Sequence, residues 1–163
     1  MKEYQHITHD SIKPFYNKDS KILILGSFPS IGSRKEGFYY AYKTNRFFKI
    51  LSKLFCEEEP ITTEERKVFL LRHNIALFDV IKECDIINSS DSSIKNVIVN
   101  DFSKIISESK ISKIFTTGTK AKELYLKYVG DNFISLPSPS AANASMSIDE
   151  LVTEYKVILP YLN

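Results

Sequence analysis

The sequence predicts an α/β fold with three layers, α/β/α, around a central, mostly parallel four-stranded sheet. Three observations predict it. Four short β-prone runs are separated by stretches of helical period, their connections lack the tight turns that close antiparallel hairpins, and each run ends in polar or chain-turning residues. The first run, Lys21 to Gly26, is almost wholly apolar, as a buried strand must be. Phe47, Phe48, Ile50, Leu51, Leu54 and Phe55 then fall on one side of a helix and leave Lys49 and Lys53 outside, so this helix should pack on the sheet. Glu57 to Pro60 is a connection. Thr62 with Glu65 has capping-box spacing and predicts a helix start near residue 63. Ile75 to Val80 is the second strand. Asn100 or Asp101 can cap a helix that turns Phe102, Ile105 and Ile106 inward. Lys113 to Thr117 is the third strand, followed by a helix from about Lys120 to Tyr128 and the fourth strand, Phe133 to Leu136. Ser147 with Glu150 predicts a last helix starting near 148.

The 163 residues suit a single domain, 1–163, with no internal repeat or linker. Hydrophobic residues at 43% and charged residues at 26% exclude disordered and fibrous classes. No apolar run reaches membrane-spanning length, the first residues lack the apolar segment of a signal peptide, and Cys56 and Cys84 form no spaced framework. The expectation is a reduced, intracellular protein. Net charge is only +2, but residues 34–53 and 104–127 are both locally basic. If the two share a face, that face suits a polyanion; otherwise they are ordinary solvated helix faces.

In parallel sheets ligands bind beyond the carboxyl ends of the strands. Gly26-Ser27-Phe28-Pro29-Ser30-Ile31-Gly32-Ser33 sits at one such end and Leu136-Pro137-Ser138-Pro139-Ser140 at another. The first is not a phosphate-binding P-loop, because Ser33 stands where that loop needs lysine, and no G-x-G makes it a dinucleotide site. His6 and His9 read as solvated side chains near the terminus, His73 is isolated, and there is no C-x-x-C, so no metal site is expected. No G-x-S-x-G elbow is present for a serine hydrolase. What remains is backbone N–H groups, amides, hydroxyls and aromatic faces, which suit a flat base. Phe28 either offers its ring to such a ligand or turns into the core, and Tyr39 and Tyr40 either line the same pocket or pack. Asp79 and Asp91 read as structural carboxylates.

GSFPSIGSRKEGFYYAYKTNRFFKIL resembles the first motif region of the uracil-DNA glycosylase superfamily, with the nearest likeness in its hypoxanthine-DNA (deoxyinosine) glycosylase branch. IALFDVIKECDIINSSDSSIKNVIVNDF, TTGTKAKEL and LPSPSAANA resemble that branch's middle section, third-strand loop and second motif, so the likeness spans about residues 20–160. Two departures bear on mechanism. Phe28 occupies the place of the catalytic asparagine of the mismatch-specific uracil/thymine enzymes, and GSFPS has no counterpart of the aspartate that other relatives carry. The resemblance implies that the asparagine of the N-x-F-W element, here Asn45 in Asn45-Arg46-Phe47-Phe48, is catalytic, and asparagine before an apolar helix is also a preferred N-cap.

The implied activity is a monofunctional, cofactor-free and metal-free glycosylase that flips a deaminated base out of DNA and hydrolyses its N-glycosidic bond. Gly26, Ser27, Phe28 and Tyr40 would bind the base. Ser30 and Ser33 would grip the DNA backbone on one side and Pro137, Ser138, Pro139 and Ser140 on the other, with Lys120 and Arg46 as further phosphate contacts or solubilising charges. The expected partner is DNA containing a deaminated base, with no membrane, no obligate protein partner, a monomeric state and a nucleoid-associated location. Removal of uracil or mismatched thymine, a catalytically silent lesion-binding module and a small-nucleotide-binding protein are the alternatives.

Overall fold

The computed structural model describes residues 3–9, 12–28, 31–88 and 90–163. In chain order the elements are β1 (Gln5–Thr8), β2 (Ile22–Gly26), α1 (Ile31–Glu36), α2 (Phe47–Leu54), α3 (Thr63–Arg72), β3 (Ile75–Asp79), β4 (Ile81–Ile86), β5 (Lys95–Val99), α4 (Ser103–Ser107), β6 (Lys113–Thr117), α5 (Thr119–Tyr128), β7 (Ile134–Leu136) and α6 (Ile148–Tyr155). A 3₁₀ segment, Lys156–Leu162, closes the described chain.

The expected sheet is present: β3-β2-β6-β7, parallel throughout. Every residue of β2 and of β3 is buried, which is why both strands read as apolar runs rather than alternating ones. From β2 the chain goes to β3 on one side and later returns to β6 on the other. The strand order therefore reverses beside β2, where crevices open in sheets of this kind.

Beside it stands a second, antiparallel sheet, β1-β4-β5, built from segments outside the four β-prone runs. Only Val80 separates β3 from β4, and Val80 and Ile81 donate their N–H groups to the Gly26 and Ser27 carbonyls, so one extended stretch passes from sheet to sheet. The hairpin between β4 and β5 closes through a long connection, 87–94, which is why the absence of tight turns did not exclude antiparallel pairing. β1 and β5 bury little side-chain surface, and β4 shifts register twice against β5, which blurs its period of two.

The helices start for the reasons the sequence offers. Thr62 and Glu65, and Ser147 and Glu150, form reciprocal capping boxes, each side chain accepting the other residue's N–H at 3.0–3.2 Å. Asp101 accepts the Ser103 N–H at 2.9 Å, while Asn100 donates to the Asp79 and Ile81 carbonyls. Phe47, Phe48, Ile50 and Leu51 of α2 are buried, as are Leu151 and Tyr155 of α6, which packs against α2. The Glu57–Pro60 connection is pinned as well, since Glu57 accepts hydrogen bonds from Arg72 and His73. His73 stacks on Phe55 with centroids 3.8 Å apart, so it is not isolated.

Candidate functional site

A cleft of about 930 Å³ lies where the carboxyl ends of the four parallel strands meet. Its wall includes Gly26, Ser27 and Phe28 after β2, Asp79 at the end of β3, Thr117 and Gly118 at the end of β6, and the Leu136–Ser140 loop after β7. The loop at β2 is shorter than the sequence suggests, because α1 begins at Ile31. Pro29 and Ser30 lie outside the described residues, so the grip expected of Ser30 has no structural counterpart to report.

Asn45 precedes Arg46, the N-cap residue of α2, and lines the cleft. Its Oδ1 accepts the Phe47 N–H at 2.9 Å, which fixes the carboxamide, and its amide nitrogen makes no hydrogen bond to a described residue. The expected N-cap role falls instead on Arg46, which makes no side-chain cap bond, and Asn45 braces the helix start from one residue earlier. Phe28 is half-buried; its ring meets His9 edge-on at 5.8 Å and remains part of the cleft wall. Tyr40 stacks on Phe47 with centroids 3.9 Å apart and an interplanar angle of 15°. The Tyr40 and Thr117 hydroxyls share a 2.9 Å hydrogen bond, and Thr117 Oγ1 lies 3.5 Å from the Leu25 carbonyl. Burial, and then the charge of Asp79, push the Tyr40 phenol well above its ordinary range and keep it protonated. Tyr39 also touches the cleft, but its hydroxyl donates to the Lys13 carbonyl at 2.8 Å and ties down the incoming chain.

Gly26 has a different reason for being glycine from the close ligand approach its motif suggests. A Cβ here would stand 2.6 Å from Asp79 Oδ1, the side chain of its ladder partner. Gly118 is a glycine that conformation demands, with φ +86° at the start of α5. The α5 N-terminus opens on the cleft with no acidic residue in its first turn and with Lys120 on it, an arrangement favourable to an anion.

The loop after β7 is held by Arg46. Its Nη1 donates to the Met146 carbonyl at 2.7 Å, its Nη2 to those of Ser140 and Asn143 at 2.8 and 3.0 Å, and its Nε to that of Pro139 at 3.4 Å. Arg46 is thus neither a free phosphate contact nor a solubilising charge, because its donors are used on backbone. Tyr155 donates to the Pro137 carbonyl at 2.7 Å and secures the near end. Ser138 and Ser140 accept the N–H groups of Ser140 and Ala142, which leaves each hydroxyl proton available to a phosphate oxygen. Pro139 is buried, whereas Pro137 is half-buried at the cleft.

Ser33 departs from expectation. It is 3% exposed and its Oγ accepts the Ala41 N–H, so it shapes the 37–41 turn rather than reaching DNA backbone. The two basic segments do not merge wholesale either. Of the second, Lys120 and Lys122 line the cleft, while Lys104, Lys110 and Lys113 contact Glu108, Asp19 and Asn132. Lys35 and Lys43 are exposed and do not line the cleft. Among the described residues, no group of three His, Cys, Asp or Glu side chains could hold a metal ion, and no helix is long and apolar enough to cross a membrane.

The model of the uracil DNA glycosylase superfamily matches residues 13–160. The chain belongs to that superfamily. It is 35% identical over 135 residues to a hypoxanthine DNA glycosylase of Methanosarcina acetivorans, covering 80% of this chain and 85% of the relative. A hypoxanthine DNA glycosylase of Methanosarcina barkeri is 33% identical over 91 residues, 55% of this chain and 58% of that one. The solution NMR structure of a candidate uracil DNA glycosylase from M. acetivorans superposes with a TM-score of 0.78 at 30% identity, covering 93% of this chain and 96% of that one.

Within this superfamily member, sequence reasoning missed one pair at the cleft. His9 is not solvated: its Nε2 donates to Asp79 Oδ2 at 2.8 Å with the imidazole fully buried. No local motif marks that pair, since His9 follows β1, which pairs with β4, and Asp79 ends β3 in the other sheet.

Proposed function

We propose that this protein is a DNA glycosylase that hydrolyses the N-glycosidic bond of hypoxanthine flipped out of DNA. The observation that carries the reading is Asn45, a carboxamide locked at the wall of a cleft that also presents an aromatic ring and a rigid, hydroxyl-bearing loop. The names of the two Methanosarcina relatives support hypoxanthine as the base. Phe28 supplies a face for a planar ligand. Pro137, Ser138 and Ser140, with Lys120 in the first turn of α5, engage the flanking phosphates.

The chemistry asks little of an acid or base. As the C1′–N9 bond breaks, positive charge grows on the sugar and negative charge on the base, and such a cation accepts a weak nucleophile. Asn45 Oδ1 keeps one lone pair for Phe47 and turns the other to a water proton, so the water oxygen faces C1′. The new C–O bond forms at C1′, the water's proton leaves to solvent, and the base departs with the bonding pair. The first N–H groups of α5, at the cleft wall, favour the developing anion.

The test is a panel of duplexes carrying one hypoxanthine, uracil, mismatched thymine or xanthine, incubated with wild type or Asn45→Ala and treated with alkali. Strand breaks at hypoxanthine with wild type, reduced about 10²–10³-fold in the variant, are expected. Breaks confined to uracil would move the substrate assignment. Release of no base would overturn the reading.

A further inference from the structure

We propose that Arg34, on the helix that follows the β2 loop, holds a phosphate of the damaged strand at the β2 side of the cleft. The inference rests on the glycosylase reading above and adds a second grip on the DNA to it. A nucleotide swung out of a duplex keeps its backbone phosphates on both flanks. Ser138 and Ser140 after β7, with Lys120 in α5, serve one flank. At the β2 side Ser33 is buried and its Oγ accepts the Ala41 N–H, so another group is needed there.

Arg34 belongs to α1 and lies beside the cleft wall. Its guanidinium carbon is 5.8 Å from the centroid of the Phe28 ring, and its charge also reaches the Cys84 thiol on the β4 face that carries Ile86; Phe28 and Ile86 both line the cleft. The other arginines are engaged by protein oxygens: Arg46 on the loop carbonyls, Arg66 on the Pro60 carbonyl at 3.3 Å and Arg72 on Glu57. Arg34 is half-buried, with its Nε shut off from solvent, and among the described residues no group accepts a hydrogen bond from its side chain or pairs with its charge. Cys84 gives no countercharge, because burial and then Asp85 push its thiol up to about 11 and keep it neutral.

Burial lowers the Arg34 pKa, yet a guanidinium stays charged throughout the physiological range. A half-desolvated cation with a donor unmade is costly, so an anion that brings both countercharge and acceptors is favoured. A phosphate presents two oxygens to the guanidinium fork. Packing beside Phe28 restricts the side chain before the DNA arrives, which lowers the entropy lost on contact.

The experiment measures affinity for a duplex carrying one 2′-fluorinated deoxyinosine, which resists cleavage, between about 50 and 200 mM salt. Each phosphate held adds about 0.9 to the slope of log Kd against log salt, so Arg34→Met should show a slope smaller by about that amount and bind roughly 5–10-fold more weakly near 0.1 M salt. Arg34→Lys, which keeps the charge, should restore most of the slope. Lys35→Met removes the exposed neighbouring cation, which does not line the cleft, and should change neither slope nor excision. A fraction of unfolded protein weakens binding equally at every salt and leaves the slope alone, so a loosened fold does not mimic the effect. In a second series single phosphates around the lesion are replaced by uncharged methylphosphonates; one position should weaken wild type and leave Arg34→Met unaffected. A wild-type slope in Arg34→Met, an equal loss in Lys35→Met, or the same methylphosphonate pattern in wild type and variant overturns the inference and leaves the glycosylase standing. No binding by wild type, with no base released from the unfluorinated duplex, removes the activity reading itself.

Discussion

Replacing Arg46 with methionine keeps most of the aliphatic stem and removes the guanidinium that joins the start of α2 to the loop after β7. Three hydrogen bonds of 2.7–3.0 Å and one weaker contact of 3.4 Å disappear, while the Arg46 main-chain N–H still donates to the Pro139 carbonyl. A charge-assisted bond contributes about 1.5–3 kcal/mol when buried, but these carbonyls belong to a half-buried loop that rehydrates when it opens, so about 1 kcal/mol each is appropriate. The expected loss is about 2–4 kcal/mol, or roughly 5–15 °C in Tm for a chain of this size. Urea and thermal unfolding measure the total, and amide exchange at Ala142 and Asn143 reports whether the loop has come loose. Excision should fall because Ser138 and Ser140 lose their fixed positions. Arg46→Lys should be intermediate, since one ammonium cannot reach carbonyls spread from Pro139 to Met146. A loss below about 1 kcal/mol with unchanged exchange would refute the latch.

Three further outcomes follow from the geometry. Asn45→Asp retains an acceptor for the Phe47 N–H and should unfold within about 0.5 kcal/mol of wild type, whereas Asn45→Ala should lose about 1 kcal/mol and also lose excision; equal, wild-type rates in both would leave Asn45 only its hydrogen bond to Phe47. Gly26→Ala drives a methyl to 2.6 Å from Asp79 Oδ1 and should cost about 1–3 kcal/mol in denaturant melts, with excision falling as the carboxylate is displaced; an unaltered melt and rate would contradict the close approach. Burial would raise the Glu57 carboxyl, but hydrogen bonds from Arg72 and His73 prevail and hold it below its ordinary 4.5. A depressed carboxylate stabilises the fold above its unfolded value and loses that contribution as pH falls through its folded one, so urea melts between about pH 6 and pH 3 should show a shallower acid loss in Glu57→Gln than in wild type.

Much of the fold is legible because burial and capping leave local marks. Strands buried on both faces have to be apolar runs, and Ile22–Leu25 and Ile75–Phe78 are such runs. Thr62-x-x-Glu65 and Ser147-x-x-Glu150 announce their helices because the capping partners lie three residues apart. Position at strand ends likewise singles out Gly26, Phe28 and Pro137–Ser140, and motif likeness singles out Asn45.

Tertiary structure alone decided which polar groups were already engaged. Arg46 reads as a surface cation, yet its donors meet four carbonyls from Pro139 to Met146, far away in sequence. Ser33 reads as a DNA-facing hydroxyl until the 37–41 turn buries it. His9 and Asp79 become one pair only when β1 joins β4 in a sheet whose weakly patterned, half-exposed strands leave little trace in composition. Apolar periodicity and capping act over a few residues and can be read along the chain. Hydrogen-bond partners are set by where the backbone passes in space, so which side chains support the cleft and which remain free to act in it could be read only from the folded chain.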